Sequence, residues 1–403
     1  MALLLLIATL VSWTPAQQSP RLTRPRWVTK PAPNDQPSSA AGRSTETASS
    51  PGSALDRDLE IAAHFAPIIH QGLNGQPRFD FITNFDFDGD WRGDNNWQNA
   101  DDRTYPLRAY VYYAVIETET HYYVHYALFH PRDYKGGLFQ SWLLAEALRQ
   151  AQDRIKNGLP PEAEDLSLSH ENDLEGCLVV AEKRQQKLDE AIVVYVVTMA
   201  HHTFHLYRAP NELNSIGYVI QVEGSHPVLF CEPKGHGVFA YTGKPHQLKD
   251  ATRGTLIYSY TGQPDDPEQI GDRKVGYRLI PIYGTLWQRA RANAEETYGL
   301  MTDYGSITLN VIENNQSVQK QIPIGRLGAA FLGVVGAANK ARPPWAWYDY
   351  RERQSVRGEF FFDPAGFVKR SFYLYNTWST TYVHHPFLEV WRDPSTPGRA
   401  AER

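Results

Sequence analysis

Residues 108–129 read RAYVYYAVIETETHYYVHYALF. Two runs of β-branched and aromatic side chains flank a polar break at Glu117, Thr118 and Glu119. Such side chains fit a pleated, half-buried surface, and the polar break supplies a turn. The spacing therefore predicts two strands of a hairpin. Composition points the same way. Twenty-three Tyr, 10 Trp and 17 Phe give 12% aromatic content against only 3 Met, which tilts the chain toward β structure.

Working outward, residues 177–182 and 191–199 are apolar runs separated by the charged turn KRQQKLDE, which predicts a second hairpin. Short strands are expected over 202–207, 217–222 and 228–232. Residues 137–157 follow helical spacing, with Leu138, Trp142, Leu143, Ala147 and Ala151 on one side. Residues 56–69 predict a short helix running into an apolar segment, and 284–300 predict another helix. The small-residue stretch 327–339 reads as a packed loop or a helix, and the tail 345–391 is dense in aromatics. The expected fold is mainly β: an antiparallel β-sandwich core with helical insertions, α+β overall, in one domain over 56–403. No βαβ alternation appears, which argues against a doubly wound sheet.

The N-terminus, MALLLLIATLVSWTPAQQ, carries a short apolar run from Leu3 to Val11 and a small residue, Ala16, at a cleavage-like position. The run is too short to span a bilayer and has the length of a secretory core, so residues 1–16 read as a signal peptide. Residues 17–55 are rich in Pro, Ser, Thr and Ala without periodicity and read as a disordered linker. The expected location is secreted or periplasmic. In such a compartment the two cysteines, Cys177 and Cys231, form either one bridge or two buried thiols. A net charge of −5, from 40 basic and 45 acidic side chains, gives no footing for a nucleic-acid partner.

Chemistry concentrates in two segments, YALFHPRD at 126–133 and SHENDLEG at 169–176. The first ends a strand on Asp133. The second places His170, Asp173 and Glu175 just before another, and the latter two share a face in extended chain. One imidazole and three carboxylates make a hard, oxygen-rich donor set. It suits Ca²⁺ or Mg²⁺, then Mn²⁺, better than structural zinc. Clustered carboxylates also resist joint ionisation unless a cation neutralises them. The plain alternative is a solvated turn before a strand.

These segments resemble the necrosis- and ethylene-inducing-like proteins, secreted β-sandwich cytolysins. That family has an aromatic strand ending in Pro-Lys-Asp and then Gly-His-Arg-His-Asp-Trp-Glu. This chain has Pro131-Arg132-Asp133 and then His170-Glu171-Asn172-Asp173-Leu174-Glu175, followed by Gly235-His236-Gly237 where the family has Ser-His-Gly. The resemblance implies that Asp133, His170, Asp173 and Glu175 bind a divalent cation in a surface cavity near His236; Glu171, beside His170, stands as a further candidate for the cavity lining. It spans residues 110–241 and extends to vacuolar-sorting-associated relatives with a similar signature. Ser169, Asn172 and Leu174 depart from the family pattern.

Asp86, Asp88 and Asp90 in FDFDGDWRGDNNW are spaced like the start of a calcium loop, and they stand as a second candidate cation loop. Trp91 and Trp97 occupy positions where an EF-hand needs Gly and Glu. The competing reading is an Asp/Asn/Gly turn. His121 with His125, His201 with His202 and His205, and His384 with His385 read mainly as structural histidines. No nucleophile motif or phosphate loop is present, so a catalytic residue is unknown. Three functions follow: a secreted, metal-organised cavity for a lipid headgroup or glycan; a metal-dependent hydrolase using the same site with His236 or Glu171 as proton shuttle; or a structural module.

Overall fold

The hairpin forms where the alternation placed it. Strand β2 (Tyr110–Thr118) turns through two residues into β3 (His121–Tyr134). Their antiparallel register pairs Tyr113 with Tyr126 and Val115 with Val124. The computed structural model describes residues 51–134, 169–271, 273–334, 341–349, 358–374 and 378–392. The signal-peptide region, most of the linker and the helix expected at 137–157 lie outside these residues.

Before the hairpin, a helix over Pro51–His64 leads into β1 (Ile68–Gly72). Its start lies inside the expected linker. Pro51 sits in its first turn, where the missing N–H is not needed. Ala54, Asp58, Ile61 and Ala62 are its buried face, at helical spacing. After β3 come β4 (Ser169–Arg184), β5 (Lys187–Ala200), β6 (Thr203–Arg208), β7 (Tyr218–Val219), β8 (Val222–Glu223), β9 (His226–Cys231) and β10 (Val238–Ala240). Then follow β11 (Thr255–Tyr260), β12 (Lys274–Pro281), β13 (Tyr298–Asp303), β14 (Ser306–Glu313), β15 (Gln316–Pro323), β16 (Arg326–Phe331) and β17 (Thr381–His384). The β4–β5 turn is tighter than the charged run suggested. It is made by Gln185 and Gln186 alone, both at positive φ.

The expected mainly β class is what forms, but the antiparallel β-sandwich core gives way to a large mixed sheet. One large sheet runs β10-β9-β1-β11-β12-β2-β3-β4-β5-β6-β7, with β17 and β14–β15 attached beside β2 and a separate β13–β16 pair. It is mixed: β1 runs parallel to β9, β12 to both β11 and β2, β6 to β7 and β14 to β17. Period-2 alternation reports which face a side chain takes, not which way its neighbour runs. The long connections between β1 and β9 allow parallel pairing without a local βαβ unit.

The central strands are buried on both faces. On β3, Tyr122 and Tyr126 turn toward the first helix: Tyr122 lies 6.0 Å from the Phe65 ring, and the Tyr126 hydroxyl donates to Ala62 O at 2.6 Å. His125 and Phe129 turn the other way, onto Phe360 and Phe361 and onto Phe85 and Phe331 respectively. The sheet also curls, bringing β9 and β10 across β4 and β5. That curl carries the β9–β10 turn to the site.

Two further expectations are corrected. The helix expected over 284–300 ends at Arg291, and residues from Tyr298 form β13. The small-residue stretch 327–339 opens as strand β16, up to Phe331, with the Tyr298 ring filling the space a Cβ would take above Gly328; residues 335–339 lie outside the described residues. Cys177 and Cys231 are both buried and unbridged.

Candidate functional site

Strands β3 and β4 pair in a single register, Tyr126 with Cys177, Leu128 with Glu175, His130 with Asp173 and Asp133 with His170. Alternation puts Cys177, Glu175, Asp173 and His130 on the Tyr126 face, inside the curl. Between the two ends of this run the ladder is disturbed. Pro131 has no N–H to give, and Asn172 adopts a left-handed φ of 57°. The Asn172 side chain holds that turn: it accepts from Asn96 Nδ2 at 2.7 Å and donates to Gly93 O at 2.7 Å and Leu332 O at 2.8 Å.

The turn fixes His170. Its Nδ1 lies 2.9 Å from Asn172 O, and a carbonyl only accepts, so Nδ1 carries the hydrogen. The other nitrogen, Nε2, then faces Asp133 Oδ2 at 3.3 Å. Both residues are buried. Two ligands at right angles about one cation stand about 3.0–3.5 Å apart, so this pair has the separation of neighbouring ligands. A histidine whose far N–H is held by a backbone carbonyl is also the usual arrangement of a metal-bound imidazole.

Asp173 is held differently. His236, on the β9–β10 turn at φ 51°, places Nδ1 3.0 Å from Asp173 Oδ2 and Nε2 3.6 Å from Asp80 Oδ1. Its ring is fully buried and stacks on His130 at 3.7 Å and 4°. Burial opposes charge on His236, but the Asp173 hydrogen bond and the charges of Asp173 and Asp80 outweigh it, pushing the imidazole up to about 10. His130 goes the other way: burial first, then the His236 charge, hold it well below the usual histidine range, with Asp133 opposing. Gln71 donates to Gly72 O at 3.0 Å, so its oxygen faces His130 Nε2 at 3.2 Å and that nitrogen bears the proton.

Glu175 retains some surface, but its Oε2 atom is covered and has no hydrogen-bond partner among the described residues. Its Oε1 accepts from the His201 N–H at 3.2 Å. Burial, then the charge of Asp173, push its carboxyl up to about 8. At the solvent side His201 pairs through Nε2 with Glu232. The structure therefore brings the expected residues together as two pairs, Asp133 with His170 and Asp173 with His236, plus Glu175. Among the described residues, no three His, Cys, Asp or Glu side chains converge as a ready-made cation cluster.

Glu171 is not placed to shuttle protons. Its two oxygens accept the backbone N–H groups of Trp97 at 2.7 Å and Val334 at 2.9 Å, and the side chain is buried. It ties the short helix Asn96–Asn99 and the segment after β16 to β4. Nor do Asp86, Asp88 and Asp90 converge. Asp86 accepts from Asn84 at 2.9 Å, Asp88 from Asn99 at 2.6 Å, and Asp90 from the Arg92 N–H at 2.8 Å. The Asp90–Arg92 bond is that of an Asx-type turn, the other two carboxylates are held by asparagine side chains, and Gly89 stands at φ 91°. Sequence reasoning missed Asp80 and His130. Asp80 is a lone carboxylate in an apolar run. His130 was traceable in principle, since alternation from Tyr126 puts it on the inner face beside Pro131.

No family model matches the chain, and no curated protein does. Solved structures do. One is Necrosis and Ethylene inducing Protein 2 from the causal agent of cocoa's witches' broom disease, 15% identical, with a TM-score of 0.24 over 56% of this chain and 74% of that one. Another is described as a toxin fold for microbial attack and plant defense, 13% identical, TM-score 0.25, over 48% and 71%. A third is NLPPya in complex with glucosamine, 12% identical, TM-score 0.27, over 47% and 70%. The chain is thus similar, distantly and over about half its length, to structures of necrosis- and ethylene-inducing proteins.

Proposed function

We propose that this chain is an exported protein that binds a divalent cation at Asp133, His170, Asp173 and Glu175, and that the bound ion organises a site for a polar lipid headgroup or a glycan. The observation that carries the reading is the His170–Asp133 pair, set 3.3 Å apart with the far imidazole nitrogen held by a backbone carbonyl. Support comes from Glu175, whose covered oxygen has no hydrogen-bond partner among the described residues and lies within reach of the Asp173 charge. A cation between them would meet that demand, and oxygen-rich donors suit Ca²⁺, Mg²⁺ or Mn²⁺. Binding the ion would require the two pairs to close toward one point. The hydrolase alternative is weaker, because Glu171 is committed to two backbone amides and His236 is fully buried between Asp173 and Asp80. No described helix is long and apolar enough to cross a membrane.

The test is calorimetric titration of the dialysed protein with Ca²⁺, Mg²⁺ and Mn²⁺, followed by binding to lipid vesicles and a glycan array with and without chelator. Saturable cation binding that is lost in Asp173→Asn, together with chelator-sensitive capture of a headgroup or sugar, supports the reading. Cation binding unchanged in Asp173→Asn removes the site.

A further inference from the structure

Beneath the proposed cation site lies a second tier of buried polar groups that the ligand set does not include. Asp80 is 2% exposed and comes from the short 3-10 turn Pro77–Asp80, far in sequence from both β3 and β4. Its Oδ2 accepts the Asn74 N–H at 2.8 Å, and its Oδ1 accepts the Lys234 N–H at 2.8 Å. The same Oδ1 lies 3.6 Å from His236 Nε2. Lys234 and His236 both stand at positive φ, 72° and 51°, in the β9–β10 turn. Without an anchor, two non-glycine residues in that region make a costly turn. Asp80 supplies one, by taking the Lys234 amide. The His236 ring also stacks flat on His130 at 3.7 Å, and His130 is itself tied to Gln71. The imidazole lies between the two carboxylates, hydrogen-bonded to Asp173 at 3.0 Å and 3.6 Å from Asp80.

We infer that Asp80 is a positioning residue for the site: it fixes His236 in place, and His236 in turn aims the Asp173 carboxylate toward the proposed cation. This inference rests on the cation reading above for its consequence, but not for its geometry. The arrangement is a carboxylate–histidine–carboxylate chain, and outer partners of that kind typically change metal affinity by about 10–100-fold when removed. It differs from a purely structural role in one respect: the effect of Asp80 on cation binding must pass through His236.

A double-mutant cycle tests this. Mn²⁺ affinity is measured by calorimetry for wild type, Asp80→Asn, His236→Gln and the double variant, with Asp80→Glu as the conservative partner that keeps the charge and both acceptor oxygens. The expected result is a loss of about tenfold or more in Asp80→Asn, a partial recovery in Asp80→Glu, and little further loss when Asp80→Asn is added to His236→Gln. Equal losses in both backgrounds would overturn the inference, since Asp80 would then act independently of His236. A second measurement covers the case in which the asparagine variant folds poorly or wild type binds no Mn²⁺. The ring-nitrogen NMR signals of His236, assigned with His236→Gln, are compared between wild type and Asp80→Glu in cation-free protein. They are expected to shift; unmoved signals contradict the positioning role. Shifted signals in a protein that binds no cation uphold Asp80 as the anchor of His236 and defeat the cation reading alone.

Discussion

At the scale of single residues, the core contains polar groups whose settings differ, and the differences are physical. His121, His125 and His385 are all buried, and burial holds each imidazole down at about 3. Their folded value lies below the ordinary 6.5, so the unfolded chain takes up protons first as pH falls. The stability these groups allow is complete above about pH 6.5 and drains away between there and about pH 3. His125 is the cleanest probe. Neither ring nitrogen has a hydrogen-bond partner among the described residues, and the ring packs on Phe360 and Phe361. Replacing it with Phe removes two unsatisfied polar atoms. His125→Phe is expected to raise stability by about 1–2 kcal/mol at pH 7 and to flatten the acid limb of the melting-temperature profile. A lower melting temperature at pH 7 would show that the imidazole has a partner of its own. His170, Asp173 and Glu175 stand out as a candidate group by residue type and spacing, and Asp133 joins them through the family resemblance. Asp80 does not stand out, because a single carboxylate among apolar neighbours gives no sign of the long-range turn it anchors.

At the scale of elements, β3 and β4 carry the site, and their pairing has little slack. A Cβ on Gly176 would lie 2.0 Å from Tyr126 O, a backbone atom in the neighbouring strand that cannot step aside. Gly176→Ala is therefore expected to cost several kcal/mol, about 3 or more, by forcing the two strands apart next to Glu175. Denaturant unfolding would register it, and a loss under about 1 kcal/mol would show the ladder is looser than the register implies. The Glu171 clamp makes a second case. Glu171→Ala leaves the amides of Trp97 and Val334 without their acceptor, and the expected loss is about 2–4 kcal/mol. The two hairpins were legible because each has alternating or β-branched arms and a polar break. The Asn172 turn was not, because its cause is tertiary: the side chain reaches Gly93 and Asn96, far before β4 in sequence, and Leu332, far after it. The strand at β16 was missed for a similar reason. Small residues there are chosen by the Tyr298 ring above Gly328, which no local pattern reports.

At the scale of the whole molecule, the first helix and the end of the described chain are joined by a buried ionic network. Arg392 donates to Asp58 at 2.8 Å and also pairs with Glu117, while His384 Nε2 meets Asp58 at 3.0 Å and Lys183 Nζ meets Glu117 at 2.8 Å. Burial acts against charge on Glu117, but Lys183, Arg392 and His384 outweigh it and hold its carboxyl well below the usual range. Burial draws Lys183 down despite the same pairing. Glu117 is held ionised by Lys183 and Arg392. Arg392→Met would leave two buried carboxylates short of a partner. It is expected to cost about 3–5 kcal/mol and to lower the thermal midpoint; a neutral effect would mean the tail is not part of the folded unit. The mainly β class was readable from composition and alternation. The mixed strand directions were not, since alternation carries no direction, and the curl that brings His236 to Asp173 depends on pairings between strands far apart in sequence.

The central claim, a divalent cation held by the β3–β4 carboxylates and His170, is tested most directly by stoichiometry. The purified full chain is equilibrated with Ca²⁺, Mg²⁺ or Mn²⁺, dialysed, and its metal content measured by elemental analysis beside Asp173→Asn and Glu175→Gln. The account predicts one ion per chain in the wild type for at least one of the three metals, and a small fraction of that in both variants. A wild type holding no stoichiometric ion, or variants holding as much as the wild type, would contradict it.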